Sequence, residues 1–219
     1  MELIDSATER TTAATDLALA LLALGGAAYL HRLGPASLGR RIWVAALVAA
    51  GLASLLGAVA HGLVLSDALR ETLWQPLYLL LGATVACFVA GAVGDAWGAR
   101  PARRFLPVML ALALGFYLAT RLAGGNFLLF VLFQAAGLLA ALLMYGWLAR
   151  RGRRGARLVA AALALSLAAG AVQADASLTA RLVWEFDHNG LYHLVQLAAL
   201  GLLVAGLGRT LARVPGDAR

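Results

Sequence analysis

Residues 42–65 read IWVAALVAAGLASLLGAVAHGLVL, a stretch with no Asp, Glu, Lys or Arg. About 20 apolar residues in a helix are enough to cross the roughly 30 Å hydrocarbon core of a bilayer. His61 is the single ionisable side chain in this stretch. The stretch therefore predicts a transmembrane helix that carries a histidine near one end.

Six further stretches of the chain are similarly apolar. With the first, the predicted spans cover residues 14–31, 42–65, 73–93, 105–122, 126–148, 156–174 and 190–211. The 219 residues are 62% hydrophobic and only 13% charged, which leaves too little polar surface for a soluble domain. We therefore expect an all-α fold, in which residues 1–219 form one polytopic membrane domain of seven helices.

The arginines predict the orientation of this bundle. The chain has no lysine, and fourteen of its eighteen arginines fall at one end of the predicted spans. Nine of the eleven acidic residues fall at the opposite end. Because positive residues accumulate in cytoplasmic loops, we expect an external amino terminus and a cytoplasmic carboxy terminus, in a membrane such as the bacterial inner membrane. The net charge of +7 then reflects topology, and nucleic acid is not an expected partner.

All five tryptophans lie near the ends of predicted spans. They are Trp43, Trp74, Trp97, Trp147 and Trp184. Amphipathic indole rings favour the headgroup region of a bilayer. We therefore expect these side chains at the membrane interfaces, which supports the count of seven spans.

Three histidines, His61, His188 and His193, fall at the same end of separate apolar stretches. An ionisable side chain inside a bilayer costs several kcal/mol unless it is paired, hydrated or ligated. Three neutral imidazoles and one water make a tetrahedral catalytic zinc site. The sequence thus predicts a zinc site that faces the outer side of the membrane.

Nearby carboxylates complete this prediction. Four acidic residues at the same end as the histidines are candidate proton carriers, namely Asp67, Glu71, Glu185 and Asp187. Asn189 is the predicted N-cap of the seventh helix, which places His188 just outside that helix and His193 inside it. Residues five apart in an unbroken helix are rotated by about 140°, so this pair converges only if the helix begins between them.

Seven spans, an external amino terminus, a histidine late in span two and a histidine motif opening span seven resemble the CREST superfamily. This superfamily of membrane metal hydrolases includes the alkaline ceramidases, the progestin and adipoQ receptors and haemolysin III-like proteins. The resemblance implies a zinc ion held by His61, His188 and His193, a serine and an aspartate nearby, and hydrolysis of a lipid amide or ester.

The chain departs from the CREST pattern at three places. Gly57 stands where the superfamily has a serine, four residues before His61. Asn189 stands where its first histidine of span seven is expected, and the gap from His188 to His193 is five residues. Gln75 and Pro76 stand roughly where its third-span aspartate lies.

Two other functions fit the same residues. Histidines from different helices at one depth, such as His61 and His193, are the axial ligands of bis-histidine haem proteins. A noncatalytic seven-helix receptor, assembly factor or pH-responsive module would use the same histidines without a metal. The sequence carries no indication of the oligomeric state, and the expected surroundings and candidate substrate are membrane lipids.

Overall fold

The computed structural model describes residues 2–34, 37–124 and 127–212. Within these residues the chain forms seven α-helices and one short β-hairpin. The elements are α1 (Ala7–Arg32), α2 (Leu38–Gly62), α3 (Asp67–Trp97), α4 (Ala99–Leu122), α5 (Phe127–Arg150), α6 (Ala156–Ala174), β1 (Thr179–Arg181), β2 (Glu185–Asp187) and α7 (His188–Leu211). All seven helices are long and apolar enough to cross a membrane. The predicted all-α fold of seven apolar helices is thus confirmed for the described residues, with a small hairpin added, and it is compatible with a helical membrane bundle.

Most helices extend beyond the predicted spans. Helix α1 begins at Ala7 because the hydroxyl of Ser6 accepts a hydrogen bond from the backbone N–H of Glu9. Helix α3 begins at Asp67 after the same kind of cap on Ser66. Hydropathy locates the hydrocarbon core of a span, whereas the helix continues until a cap satisfies its free backbone groups. Residue 126, the predicted start of span five, lies outside the described residues.

Helix α2 ends earlier than predicted, at Gly62. The next residues pair with the amino-terminal segment, where Val64 N–H donates to the Glu2 carbonyl at 2.9 Å. Ile4 N–H also donates to the Gly62 carbonyl at 3.1 Å. These backbone hydrogen bonds replace the helical ones and hold the start of the chain against the end of α2.

The two ends of the bundle differ in their polar side chains. We call the end that carries Ser6, Gly62 and the hairpin the histidine end, and the opposite end the arginine end. Helix α1 packs against α2 and α7, and α3 packs against α2, α4 and α5. This arrangement brings α1, α2 and α7 together at the histidine end.

At the arginine end, a half-buried carboxylate joins three helices. Asp95 on α3 accepts hydrogen bonds from Trp43 Nε1 on α2, at 3.0 Å, and from the hydroxyl of Tyr145 on α5. Trp43 is fully buried, so its indole packs inside the protein. Gly91 makes room for it, because a Cβ there would lie 2.6 Å from Trp43 Cε2. The indole is amphipathic, and here its N–H finds an acceptor inside the protein.

The hairpin between α6 and α7 sets the start of α7. Strands β1 and β2 are antiparallel, and Ala180 lies opposite Phe186. Before β1, Asp175 accepts hydrogen bonds from the Ser177 hydroxyl and N–H, which lowers the pKa of Asp175.

Asp187, at the end of β2, is the N-cap of α7, and its Oδ1 accepts from Gly190 N–H at 2.8 Å. The prediction of Asn189 as cap is therefore wrong, because the extended backbone of the strand places the carboxylate of Asp187 over the first turn. His188 and His193 consequently share one continuous helix and point in different directions.

Candidate active site

Helix α1 carries four polar side chains at the histidine end, along one side of the helix. Glu9, Thr12 and Asp16 follow at intervals of three and four residues, which places them on the face toward α2 and α7. Thr12, Thr15 and Asp16 are buried. Sequence reasoning counted Glu9 and Asp16 only as acids of the outer end. The signal that marks them is an acidic residue within an apolar helix, repeated on one helical face.

Glu9 and His61 form a carboxylate–imidazole pair between α1 and α2. His61 Nδ1 lies 2.7 Å from Glu9 Oε2, which is a short hydrogen bond. The imidazole also meets the ring of Trp74 edge-on, with centroids 6.0 Å apart. Arg70 donates to the carbonyl of Ala60, the residue before His61, at 2.8 Å. His61 is thereby held from two sides.

A second pair lies deeper, between α1 and α7. His193 Nε2 lies 3.5 Å from Asp16 Oδ1, and these residues are only 7% and 5% exposed. His193 Nδ1 lies 3.1 Å from Thr15 Oγ1. That hydroxyl also lies within hydrogen-bond distance of the Thr11 and Thr12 carbonyls, so it donates to the backbone and accepts from the imidazole. Both ring nitrogens of His193 thus face protein atoms.

His61 also lines a cavity of about 710 Å³ at the histidine end. Its wall includes the predicted residues Asp67 and His188, together with Arg70 and Trp74. Asp16 and His193 line a smaller pocket of about 90 Å³, whose wall shares Trp74 and Gln173 with the large cavity. A third pocket of about 130 Å³ lies at the centre of the bundle and shares Tyr192 and Phe130 with the second.

Comparison of the chain with known proteins identifies one family. Residues 11–212 match DUF6962, a family of unknown function. The chain belongs to DUF6962. No curated protein and no solved structure matches it. The resemblance of this DUF6962 chain to the CREST superfamily stays a prediction.

The remaining predicted carboxylates of the DUF6962 chain lie away from the large cavity. Asp187 is used as the cap of α7, and its Oδ1 also lies 3.2 Å from the Thr12 hydroxyl. Glu185 has an exposed position in β2, where its backbone carbonyl accepts from the Thr11 hydroxyl at 2.7 Å. Of the predicted proton carriers, Asp67 and Glu71 line the same cavity as His61.

The three histidines of the zinc site predicted for the DUF6962 chain line two neighbouring spaces. His61 and His188 line the large cavity, whereas His193 lies in the pocket beneath it between Thr15 and Asp16. Among the residues that the structure describes, no group of three or more His, Cys, Asp or Glu side chains is arranged to hold a metal ion. Zinc and haem both stay predictions from the sequence.

Because Gly57 has no side chain, it leaves room for the carboxylate of Asp16 in the DUF6962 chain. A Cβ on Gly57 would lie 2.5 Å from Asp16 Oδ2, which is closer than real Cβ contacts. The acidic group of α1 therefore occupies the space at the position where the CREST pattern has a serine side chain.

Replacing Gly57 by alanine is expected to displace Asp16 and to destabilise the protein by about 1–3 kcal/mol, as overpacking does elsewhere. Thermal unfolding in detergent measures this loss. Gly25→Ala is the matched control, because nothing lies within 4 Å of a Cβ at Gly25. An unchanged melting temperature in Gly57→Ala would contradict the close contact.

Proposed function

We propose that the protein is a membrane hydrolase that cleaves an ester or amide bond of an amphiphilic lipid with water. The observation that carries this proposal is the 2.7 Å hydrogen bond between Glu9 and His61 at the wall of the 710 Å³ cavity. A carboxylate that holds the Nδ1–H of a histidine orients the ring and stabilises its protonated form. His61 Nε2 is then the nitrogen that acts as general base.

The reaction follows from this assignment. His61 Nε2 takes one proton from a water molecule in the cavity while the water oxygen bonds to the carbonyl carbon of the substrate. The tetrahedral oxyanion then collapses, and the carbon–oxygen or carbon–nitrogen bond to the leaving group breaks. His61 returns its proton to that alkoxide or amine. The products are a carboxylic acid and an alcohol or an amine.

Arg70 is the group that we assign to the oxyanion. Its guanidinium lines the same cavity as His61 and is held by the carbonyl of Ala60. Arginine stays charged at all relevant pH values and offers several donors in a fixed plane. A fixed positive charge beside a developing oxyanion stabilises the transition state more than the ground state.

The pockets below the cavity support an amphiphilic substrate. The central pocket of about 130 Å³ is lined mainly by apolar side chains, including Leu19, Leu81 and Leu203. The pocket of about 90 Å³ lies between it and the large cavity and shares wall residues with both. An amphiphilic substrate would fit these neighbouring pockets, with its polar group in the large cavity and its apolar chain toward the centre of the bundle. The resemblance to the CREST superfamily supports the same reaction class.

The arginines support an outward orientation for this site. In the described part of the chain, the histidine end carries Arg10, Arg70, Arg121 and Arg181, and the other arginines cluster at the arginine end. Arg213 and Arg219 lie outside the described residues. By the positive-inside rule the histidine end faces the outside of a bacterial-type inner membrane.

Hydrolysis of a panel of fluorogenic acyl esters and N-acyl amides by the detergent-purified protein tests this function. Glu9→Gln is expected to lower kcat by about 10–10²-fold, less than for a fully buried triad carboxylate, because the Glu9 side chain is 31% exposed. Asp5→Asn, which removes an exposed ion pair with Arg10, is the control and is expected to keep wild-type activity.

Two outcomes would contradict the proposal. Hydrolysis that a chelator abolishes and zinc restores would replace the metal-free base by a metal centre. Folded wild-type protein that cleaves no member of the panel would favour the noncatalytic seven-helix module. The buried contact of Asp16 and His193 favours that second candidate, because it links α1 to α7.

A further inference from the structure

Three consecutive apolar side chains are exposed at the turn of the hairpin. We call residues 182–184 the hairpin tip. Leu182 is 63% exposed, Val183 82% and Trp184 66%. The N–H of Leu182 donates to the carbonyl of Trp184 at 3.0 Å, which closes the turn. Contiguous exposed apolar groups of this kind mark a contact with a membrane or a partner.

The hairpin is held firmly against the bundle. The Thr11 hydroxyl donates to the Glu185 carbonyl at 2.7 Å, and the Thr12 hydroxyl lies 3.2 Å from Asp187 Oδ1. Phe186 is buried next to Gly190, where a Cβ would lie 2.9 Å from its ring. The tip is therefore carried at a defined height along α1.

The exposed face of α1 gives this height relative to the membrane. Arg10, Ala14, Leu17 and Leu21 lie on one exposed face of α1. A charged arginine belongs to the headgroup region, and two exposed leucines belong to the hydrocarbon, so the boundary lies between Arg10 and Leu17. Thr11, which holds β2, lies six residues before Leu17. At 1.5 Å per residue it is about 9 Å farther along α1 toward the histidine end.

We propose that the hairpin tip inserts into the headgroup region of the membrane that surrounds the bundle, at the histidine end. Trp184, the last residue of the tip, directly precedes Glu185. The tip therefore lies near the height at which the apolar and polar regions of the lipid meet. Trp184 has the amphipathic ring that favours this region. The occupant is therefore the lipid surface.

The hairpin tip is connected to the large cavity by the backbone of β2 and the start of α7. Strand β2 runs directly into Asp187, the cap of α7, and then into His188 at the cavity wall. The inference stands without the hydrolase, since it depends only on the bundle being embedded in a membrane.

Depth-dependent fluorescence quenching tests the proposal. The full chain is reconstituted into phosphatidylcholine nanodiscs that contain lipids brominated either near the headgroup or near the chain end. The difference between wild type and Trp184→Phe isolates the emission of Trp184. We expect quenching by the shallow bromines to be about twofold stronger than by the deep ones, as for an interfacial indole.

Val183→Ser provides the second variant. It keeps Trp184 and is expected to shift the Trp184 emission to longer wavelength and to weaken quenching by the shallow lipid. Trp97→Phe, at the arginine end, is the control and keeps the Trp184 signal. Trp184 that is quenched by aqueous acrylamide and by neither lipid overturns the proposal. Protection from all three quenchers also overturns it, because a protein partner or a second copy would then cover the tip.

Discussion

His61→Gln is expected to lower the kcat of lipid ester or amide hydrolysis by about 10²–10⁴-fold, the range typical for loss of a general base. The glutamine side chain is similar in length, and its amide N–H can still donate to Glu9. It cannot accept and return a proton as an imidazole does. The loss should therefore appear in kcat, with little change in the melting temperature.

His31→Gln is the matched control for this variant. His31 is exposed in the last turn of α1 at the arginine end, so the same chemical change there is expected to leave hydrolysis unaltered. Steady-state kinetics and thermal unfolding of both variants separate catalysis from stability. If His61→Gln kept wild-type kcat, His61 would have no part in the chemistry.

Asp95→Ala is expected to reduce the free energy of unfolding by about 2–4 kcal/mol, because it leaves two buried donors without an acceptor. The carboxylate accepts from Trp43 Nε1 and the Tyr145 hydroxyl. Trp43 and Tyr145 are both fully buried, so neither donor can turn to water when the acceptor is removed. Equilibrium unfolding in mixed micelles measures the change.

A double-mutant cycle distinguishes this network from simple loss of volume. Tyr145→Phe removes one donor and keeps the ring that packs on Trp43, at a centroid distance of 6.3 Å. If the hydrogen bond contributes, the effects of Asp95→Ala and Tyr145→Phe are less than additive in the double variant. Strict additivity would show that the hydrogen bond to Tyr145 contributes no stability. An Asp95→Ala protein as stable as wild type would show that the carboxylate contributes none.

Part of the site follows from local pattern and part does not. His61 was identified because an ionisable group in an apolar helix is costly, and that cost does not depend on the neighbours. Glu9 and Asp16 were missed as site residues because nothing local shows that α1 packs between α2 and α7. The contact with His61 joins residues 52 positions apart, and the contact with His193 joins residues 177 positions apart along the chain.

The error at the start of α7 has a similar origin. Asp187 and Asn189 are both good caps by residue type, and the sequence offers no reason to choose between them. The choice depends on β2, whose extended backbone ends at Asp187, and on Thr12 of α1, which meets its carboxylate. With Asp187 as the cap, His188 lies inside the helix, and its side chain points in a different direction from that of His193.

By itself the sequence determined the seven apolar helices, because the length and hydropathy of each helix are properties of its own residues. It also determined the unequal distribution of arginines and acids between the two ends. Only the tertiary structure decided which polar groups meet, namely Glu9 with His61, Asp16 with His193 and Asp95 with Trp43 and Tyr145. Such pairs depend on how helices distant in sequence rotate and approach, and small residues such as Gly57 and Gly91 set that approach through van der Waals contact.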